Sequence, residues 1–218
     1  MPRDESLGIG KGNYSAGVIA LTSEVAAGFP FEASEDFLSR RFGLDLCYKQ
    51  VQRLSERTGE VVSASEFALS AHVVADEVKL LSIERPKRLT ISADGLMVFS
   101  DGGWTEMKCA SFISEEHGRS TMATMERAEE FGELLYLEGI RRGVQNALEV
   151  VLVADGASWI WSLVSHHFQN AVEIVDWYHV TEHLWEIANA WYGQGSRKAE
   201  AWVKRNKERL MEGRILQV

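Results

Sequence analysis

Apolar and polar positions change their period near residue 86, and that change divides the chain. Before it the pattern is helical. An apolar stretch over 16–27 predicts a helix, broken at Gly28-Phe29-Pro30. Ser34 as a cap predicts a short helix over 35–42, ended by Gly43. Another is expected from Asp45 to Arg57, before Gly59. On it Cys47, Val51 and Leu54 step by four and three and share a face, with Lys49, Arg53 and Arg57 off it. Ser63 and Glu66 form a capping box, and Phe67, Ala71, Val74, Val78 and Leu81 then give a helical seam. His72 beside the seam has no obvious partner. Pro86 disfavours helix just before it and marks the domain boundary. Residues 1–14 are Gly-rich and read as irregular.

After the boundary the pattern is that of strands. Residues 88–92 and 96–100 flank Ala93-Asp94-Gly95, and Asp101-Gly102-Gly103 predicts a hairpin turn into a strand over 104–113. Asp101 is therefore a turn residue and not a ligand. A polar loop follows over 114–119. Met122, Met125, Ala128, Phe131 and Leu135 predict a long helix ending near Gly143. Five unbroken apolar residues, 150–154, predict a strand buried on both faces and ending at Asp155-Gly156. A tryptophan-rich helix over 158–168 leads to a strand over 171–175 that ends on Asp176. Helices over 181–192 and 197–211 complete the chain, the last one basic. A hairpin followed by alternating helix and parallel strand predicts an α/β ribonuclease-H-like mixed sheet with flanking helices. Its third antiparallel strand is expected within 110–114 or in the loop after. A small all-α domain, helix-turn-helix-like, precedes it, so the expected domains are 1–86 and 87–218.

Composition narrows the function classes. The chain is 45% apolar and 25% charged, as in ordinary soluble proteins. No apolar run approaches the ~20 residues of a membrane helix, and the opening residues lack a signal peptide's apolar core. Cys47 and Cys109 are too few for a disulfide framework or a four-cysteine zinc site. A cytoplasmic protein without membrane partners is expected. The net charge of −9 argues against a uniformly basic nucleic-acid coat. It leaves room for a local basic groove and suits carboxylates gathered for a divalent metal. Residues 35–57 fit either a DNA-reading helix-turn-helix with a basic second helix or a plain helical hairpin.

Two stretches match. LTISADG ends at Gly95 and VVLVADG at Gly156, each delivering Ala-Asp-Gly after an apolar strand. If the strands are neighbours, Asp94 and Asp155 meet at one sheet edge. Two such carboxylates repel, and a divalent cation removes that cost. Asp-Gly also favours turns regardless of function. Asp176 and His179, three apart, could form a hydrogen-bonded pair, a metal site or a catalytic helper, or simply a cap and a packed ring. His183 joins the same face if its helix starts early, whereas Glu182 is expected to point elsewhere. His166 and His167 are adjacent on a helix and cannot both face one site.

DGGWTEMK, VADGASWIW and IVDWYHVTEHLWEIANAWYG resemble the Kra-type bacterial insertion-sequence transposases, distant relatives of Mutator-like elements. The resemblance implies an acidic-triad mechanism on a ribonuclease-H-like fold. It assigns Asp94 as first acid, Asp155 as second, and Asp176 and His179 as the Asp-x-x-His motif. Metal ligation falls to Asp94 and Asp155, with Mg²⁺ or Mn²⁺ as cofactor. The partners implied are double-stranded DNA at element ends and further copies of the chain, as a homo-oligomer. Trp104 and Lys108 match the motif after the first acid, with no role attached. The cysteine-pair segment expected at the start and the third acid, a glutamate well after the second, have no counterpart. Glu208 and Glu212 sit in the basic helix and fit that part poorly. A fragment or decayed copy, truncated at both ends and inactive by itself, is expected. Two other readings stand beside this one: a non-catalytic, transposase-derived DNA-binding protein, and an unrelated metal-dependent phosphohydrolase.

Overall fold

The computed structural model describes residues 14–100 and 102–218. The irregular reading of residues 1–13 and the turn reading of Asp101 lie outside them. The chain divides into two compact units, Met1–Leu69 and Ser70–Val218.

Three helices make up the first part: α1 (Ala16–Gly28), α2 (Phe31–Phe42) and α3 (Tyr48–Val74). Ser15 caps α1, its hydroxyl accepting from the Val18 amide at 3.3 Å. Helix α2 begins at Phe31 and not after Ser34. Pro30 holds a helix-ready φ of −54° and has no N–H to leave unpaired. Ser34 instead lies buried in the first turn and donates to the Pro30 carbonyl at 3.0 Å. Gly43, at φ 64°, adopts the left-handed conformation that closes α2. Val25, Leu38, Leu46 and Val51 form the core of this unit. Leu46 takes the buried place expected for Cys47, which is exposed. The Cys47 amide is spent on the Gln50 side chain at 2.9 Å.

Helix α3 is continuous for 27 residues, where two helices were expected. Gly59 does not take a positive φ, so it costs propensity without ending the helix. Ser63 and Glu66 therefore lie inside the helix. Ser65 turns its hydroxyl back on the Val61 carbonyl at 2.8 Å, the usual accommodation of a mid-helix serine. The seam stops at Val74, and Val78 and Leu81 fall beyond the helix, with Leu81 exposed. His72, without an expected partner, contacts Glu77 at 2.6 Å.

The second unit holds a five-stranded sheet in the order β3-β2-β1-β4-β5. The strands are β1 (Arg88–Ser100), β2 (Gly103–Ser114), β3 (Gly118–Thr124), β4 (Glu149–Ala154) and β5 (Val172–Val175). β1, β2 and β3 run antiparallel, and β4 and β5 run parallel to β1. This is the ribonuclease-H-like arrangement, a mixed sheet flanked by helices and preceded by a helical region. The third antiparallel strand, β3, lies over residues that a three-residue apolar step assigned to helix. Ser120 and Met122 alternate with Thr121 and Ala123 on its ladder to β2. Helix α4 (Ala128–Arg141) consequently begins six residues later than Met122.

Helices α4 and α5 (Ser158–His167) cover one sheet face. Leu89, Ile91, Ala93, Phe112, Leu152 and Ala154 pack there on Phe131, Leu135, Ile160 and Val164. Burial of this cluster stabilises the sheet by about 25 cal/mol per Å² of apolar surface removed from water. Helices α6 (Trp177–Tyr192) and α7 (Arg197–Met211) pack on each other through Leu184, Ala188, Ala199 and Val203. Helix α6 begins four residues before Thr181 because Asp176 caps it. Among the described residues no helix is long and apolar enough to cross a membrane.

Candidate functional site beside β1 and β4

Ladder register decides what meets at the sheet edge. β1 and β4 are parallel neighbours with Ala93 opposite Ala154, the last pair of their ladder. Asp94 and Asp155 are the next residues on each strand. Adjacent strands lie ~4.8 Å apart, so the backbones that carry the two acids leave the ladder at one level, at the C-terminal end of β4. That is where open α/β sheets usually hold ligands.

The two carboxylates are held differently. Asp94 is exposed and still within β1, paired across to Cys109. Its neighbour Ala93 is buried under α4 and α5, so alternation carries Asp94 to the opposite sheet face. Its Oδ1 accepts from the Gly95 amide at 2.7 Å. Asp155 has left the strand, and its Oδ1 accepts from the Ala157 amide at 2.8 Å, which shapes the turn into α5. In each case the described hydrogen bonds leave Oδ2 open.

His179 approaches Asp155, with Nε2 3.8 Å from Oδ2. Asp176 makes this possible. Its amide donates to the Ala154 carbonyl at 2.7 Å, joining the end of β5 to the end of β4. Its Oδ1 accepts from the Tyr178 amide at 2.9 Å and caps α6. The first turn of α6 then faces Asp155. Asp176 thus acts in the geometry as a cap, with one oxygen already used. Glu182, expected to point elsewhere, lies 3.6 Å from His179 Nδ1, because α6 starts early enough to bring i and i+3 together. His183 shares the face, its ring centroid 5.6 Å from that of His179, and contacts Glu186 at 3.0 Å. Glu208 and Glu212 line a groove between α6 and α7 together with Trp177 and Trp185.

Lys108 is buried on the helix side of the sheet, opposite Gly95. Its Nζ lies 2.8 Å from Glu106, donates to the Glu126 carbonyl at 3.1 Å and sits 5.7 Å from the Trp159 ring centre. It therefore ties the hairpin to the start of α4 and of α5. Trp104 is exposed near the hairpin tip, edge-on to Phe99 at 5.6 Å. Sequence reasoning left Cys109 unplaced. Burial first, and Asp94 second, push its thiol above the ordinary range, so it stays protonated beside the acid.

Could the edge hold a cation? Two carboxylates with open oxygens suit Mg²⁺, which accepts one or two and keeps several waters. Among the described residues no group of three or more His, Cys, Asp or Glu side chains is arranged to hold a metal ion. The donor set fits one weakly held ion better than a closed pair of ions.

No protein-family model matches the chain, and no curated protein matches it. Among solved structures it is similar to a chain of the cryo-EM structure of a simian T-cell lymphotropic virus intasome in complex with PP2A regulatory subunit B56 gamma. The identity is 7% and the TM-score 0.28, over 57% of this chain and 50% of that one. This chain thus spans half the length of its match, and at that score the likeness bears on neither family nor activity.

Proposed function

We propose that this chain is the nuclease part of a Kra-type insertion-sequence transposase, acting on DNA through Asp94 and Asp155. One observation supports the reading: Ala93 pairs with Ala154 on parallel neighbours, so Asp94 and Asp155 each follow the last rung of that ladder by one residue. The quoted sequence resemblance assigns the same two residues. Asp94 and Asp155 would hold Mg²⁺ or Mn²⁺, which supplies charge neutralisation at a phosphodiester and a more acidic bound water. Asp176 positions α6, and α6 positions His179 against Asp155. His179 is a positioning residue: its Nε2, 3.8 Å from Asp155 Oδ2, orients that carboxylate. Because no third carboxylate among the described residues joins the pair, slow hydrolysis is expected, with little or no strand joining.

The test is nicking of supercoiled plasmid with Mg²⁺ or Mn²⁺. The proposal expects slow, metal-dependent nicking that Asp94→Asn and Asp155→Asn abolish. His179→Ala should slow it by roughly 10–100-fold and raise the metal concentration it needs, as loss of a ligand's supporting partner does. Nicking that survives both aspartate substitutions would refute the reading.

The second reading, a non-catalytic DNA-binding protein, is favoured by one feature. Lys49, Arg53 and Arg57 stand exposed in one row on α3. DNA binding that depends on this row, with no nicking in either metal, would support it.

A further inference from the structure

The sheet face opposite α4 and α5 holds a cavity of about 370 Å³ beside Asp94. It is lined by Ser92 and Asp94 from β1, Cys109 and Ser111 from β2, and Arg119 and Thr121 from β3. The register explains the grouping. Asp94 pairs with Cys109, Ser92 with Ser111, and Ser111 with Thr121, so alternation sends all of them to one face. Arg119 is exposed, and its Nη2 donates to the Ser111 hydroxyl at 3.2 Å. It has no carboxylate partner among the described residues. Its guanidinium is therefore held over the face near Ser111, two residues or ~7 Å along the strands from the level of Asp94.

We propose that this face seats the backbone of the DNA strand being cut, with Arg119 gripping the phosphate next to the one at Asp94. The inference rests on the DNA reading above and adds a residue and a direction to it. The chemistry selects a phosphodiester. A guanidinium fork matches phosphate oxygens and stays charged at every working pH. Ser92, Ser111 and Thr121 offer hydroxyl donors around it. Asp94 is the one acid among the lining residues, so an anion enters only when that carboxylate carries a cation. A nucleic-acid strand threading the face would meet cation and arginine in succession.

The test uses the full chain and a fluorescent duplex with a short single-stranded overhang, in Ca²⁺ to limit cleavage. Anisotropy is read across a range of salt. Arg119→Gln should weaken binding about tenfold or more, the scale of a lost charged hydrogen bond. It should also reduce the salt slope by about one phosphate contact. Arg119→Lys should restore most of the slope and less of the affinity. Arg197→Gln, on α7, should do neither. Melting curves of each variant separate a fold defect from a contact defect. Unchanged affinity and slope in Arg119→Gln would overturn the proposal, as would losses no larger than those of Arg197→Gln.

The two proposals fail separately. If the wild type nicks plasmid but Arg119→Gln leaves KM untouched, the seat is wrong and the acids stand. If there is no nicking but binding depends on Arg119, the seat stands without the nuclease.

Discussion

His167 makes part of the sheet unit's stability depend on pH. It ends α5, with its ring stacked on Tyr136 at 5.4 Å and packed near Phe168 at 6.4 Å. Space around it is tight: a Cβ on Gly132 would come 3.2 Å from its Nε2. Burial first, and the neighbouring His166 second, lower its pKa from the ordinary 6.5 to about 4. The folded state therefore resists a proton that the unfolded chain accepts. The stabilisation is complete above 6.5 and is lost as pH falls toward 4. Each pH decade is worth 1.36 kcal/mol, so the ceiling is about 3 kcal/mol. Partial exposure of the ring reduces the expected loss to roughly 1–2 kcal/mol. All seven tryptophans lie at or beyond Trp104, so their fluorescence reports urea unfolding of the second unit alone. The comparison is wild type against His167→Phe, which keeps an aromatic ring and cannot titrate. The difference in stability should shrink or reverse against the wild type between pH 6.5 and 4. A gap that stays constant across that range would refute the reasoning.

Cys109 reports on Asp94, because the carboxylate is one of the causes that hold its thiol pKa up. In a Cys47→Ser background, Asp94→Asn should speed thiol labelling by a disulfide reagent near pH 8, and an unchanged or slower rate would count against this coupling. Gly143 has a φ of +75°, and a Cβ there would stand 2.5 Å from the Glu84 carbonyl oxygen. Gly143→Ala should cost about 2 kcal/mol or more and lower the melting temperature by ~4 °C or more, and an unaltered melting curve would contradict that.

Much of this fold could be read from the chain because strands and turns leave local marks. β1 ends at Ser100 and β2 begins at Gly103, and so short a connection fixes hairpin register, which pairs Ser100 with Gly103 and, six rungs on, Asp94 with Cys109. Working that register through would have brought Cys109 and Ser111 to the acid before any coordinates. β3 was hidden for a different reason. Met122, Met125 and Ala128 recur every three residues, so a strand face, a loop and a helix start imitate a helix. The break expected near Gly59 failed because glycine and a serine cap are only weak terminators inside a long helix. Glu182 was missed through the start of α6, since Asp176 caps the helix and starts it at Trp177, four residues upstream of the expected start. The matched Ala-Asp-Gly sequences suggested a meeting of two acids, but that the strands bearing them are neighbours follows only from the β1–β4 pairing, a contact between residues 61 apart.

The most direct measurement is Mn²⁺ binding followed by electron paramagnetic resonance on the wild type, Asp94→Asn and Asp155→Asn. A shared ion predicts one weak site in the wild type, with affinity falling about tenfold or more in either variant. An Mn²⁺ affinity that either substitution leaves intact would mean the two carboxylates do not hold one ion between them.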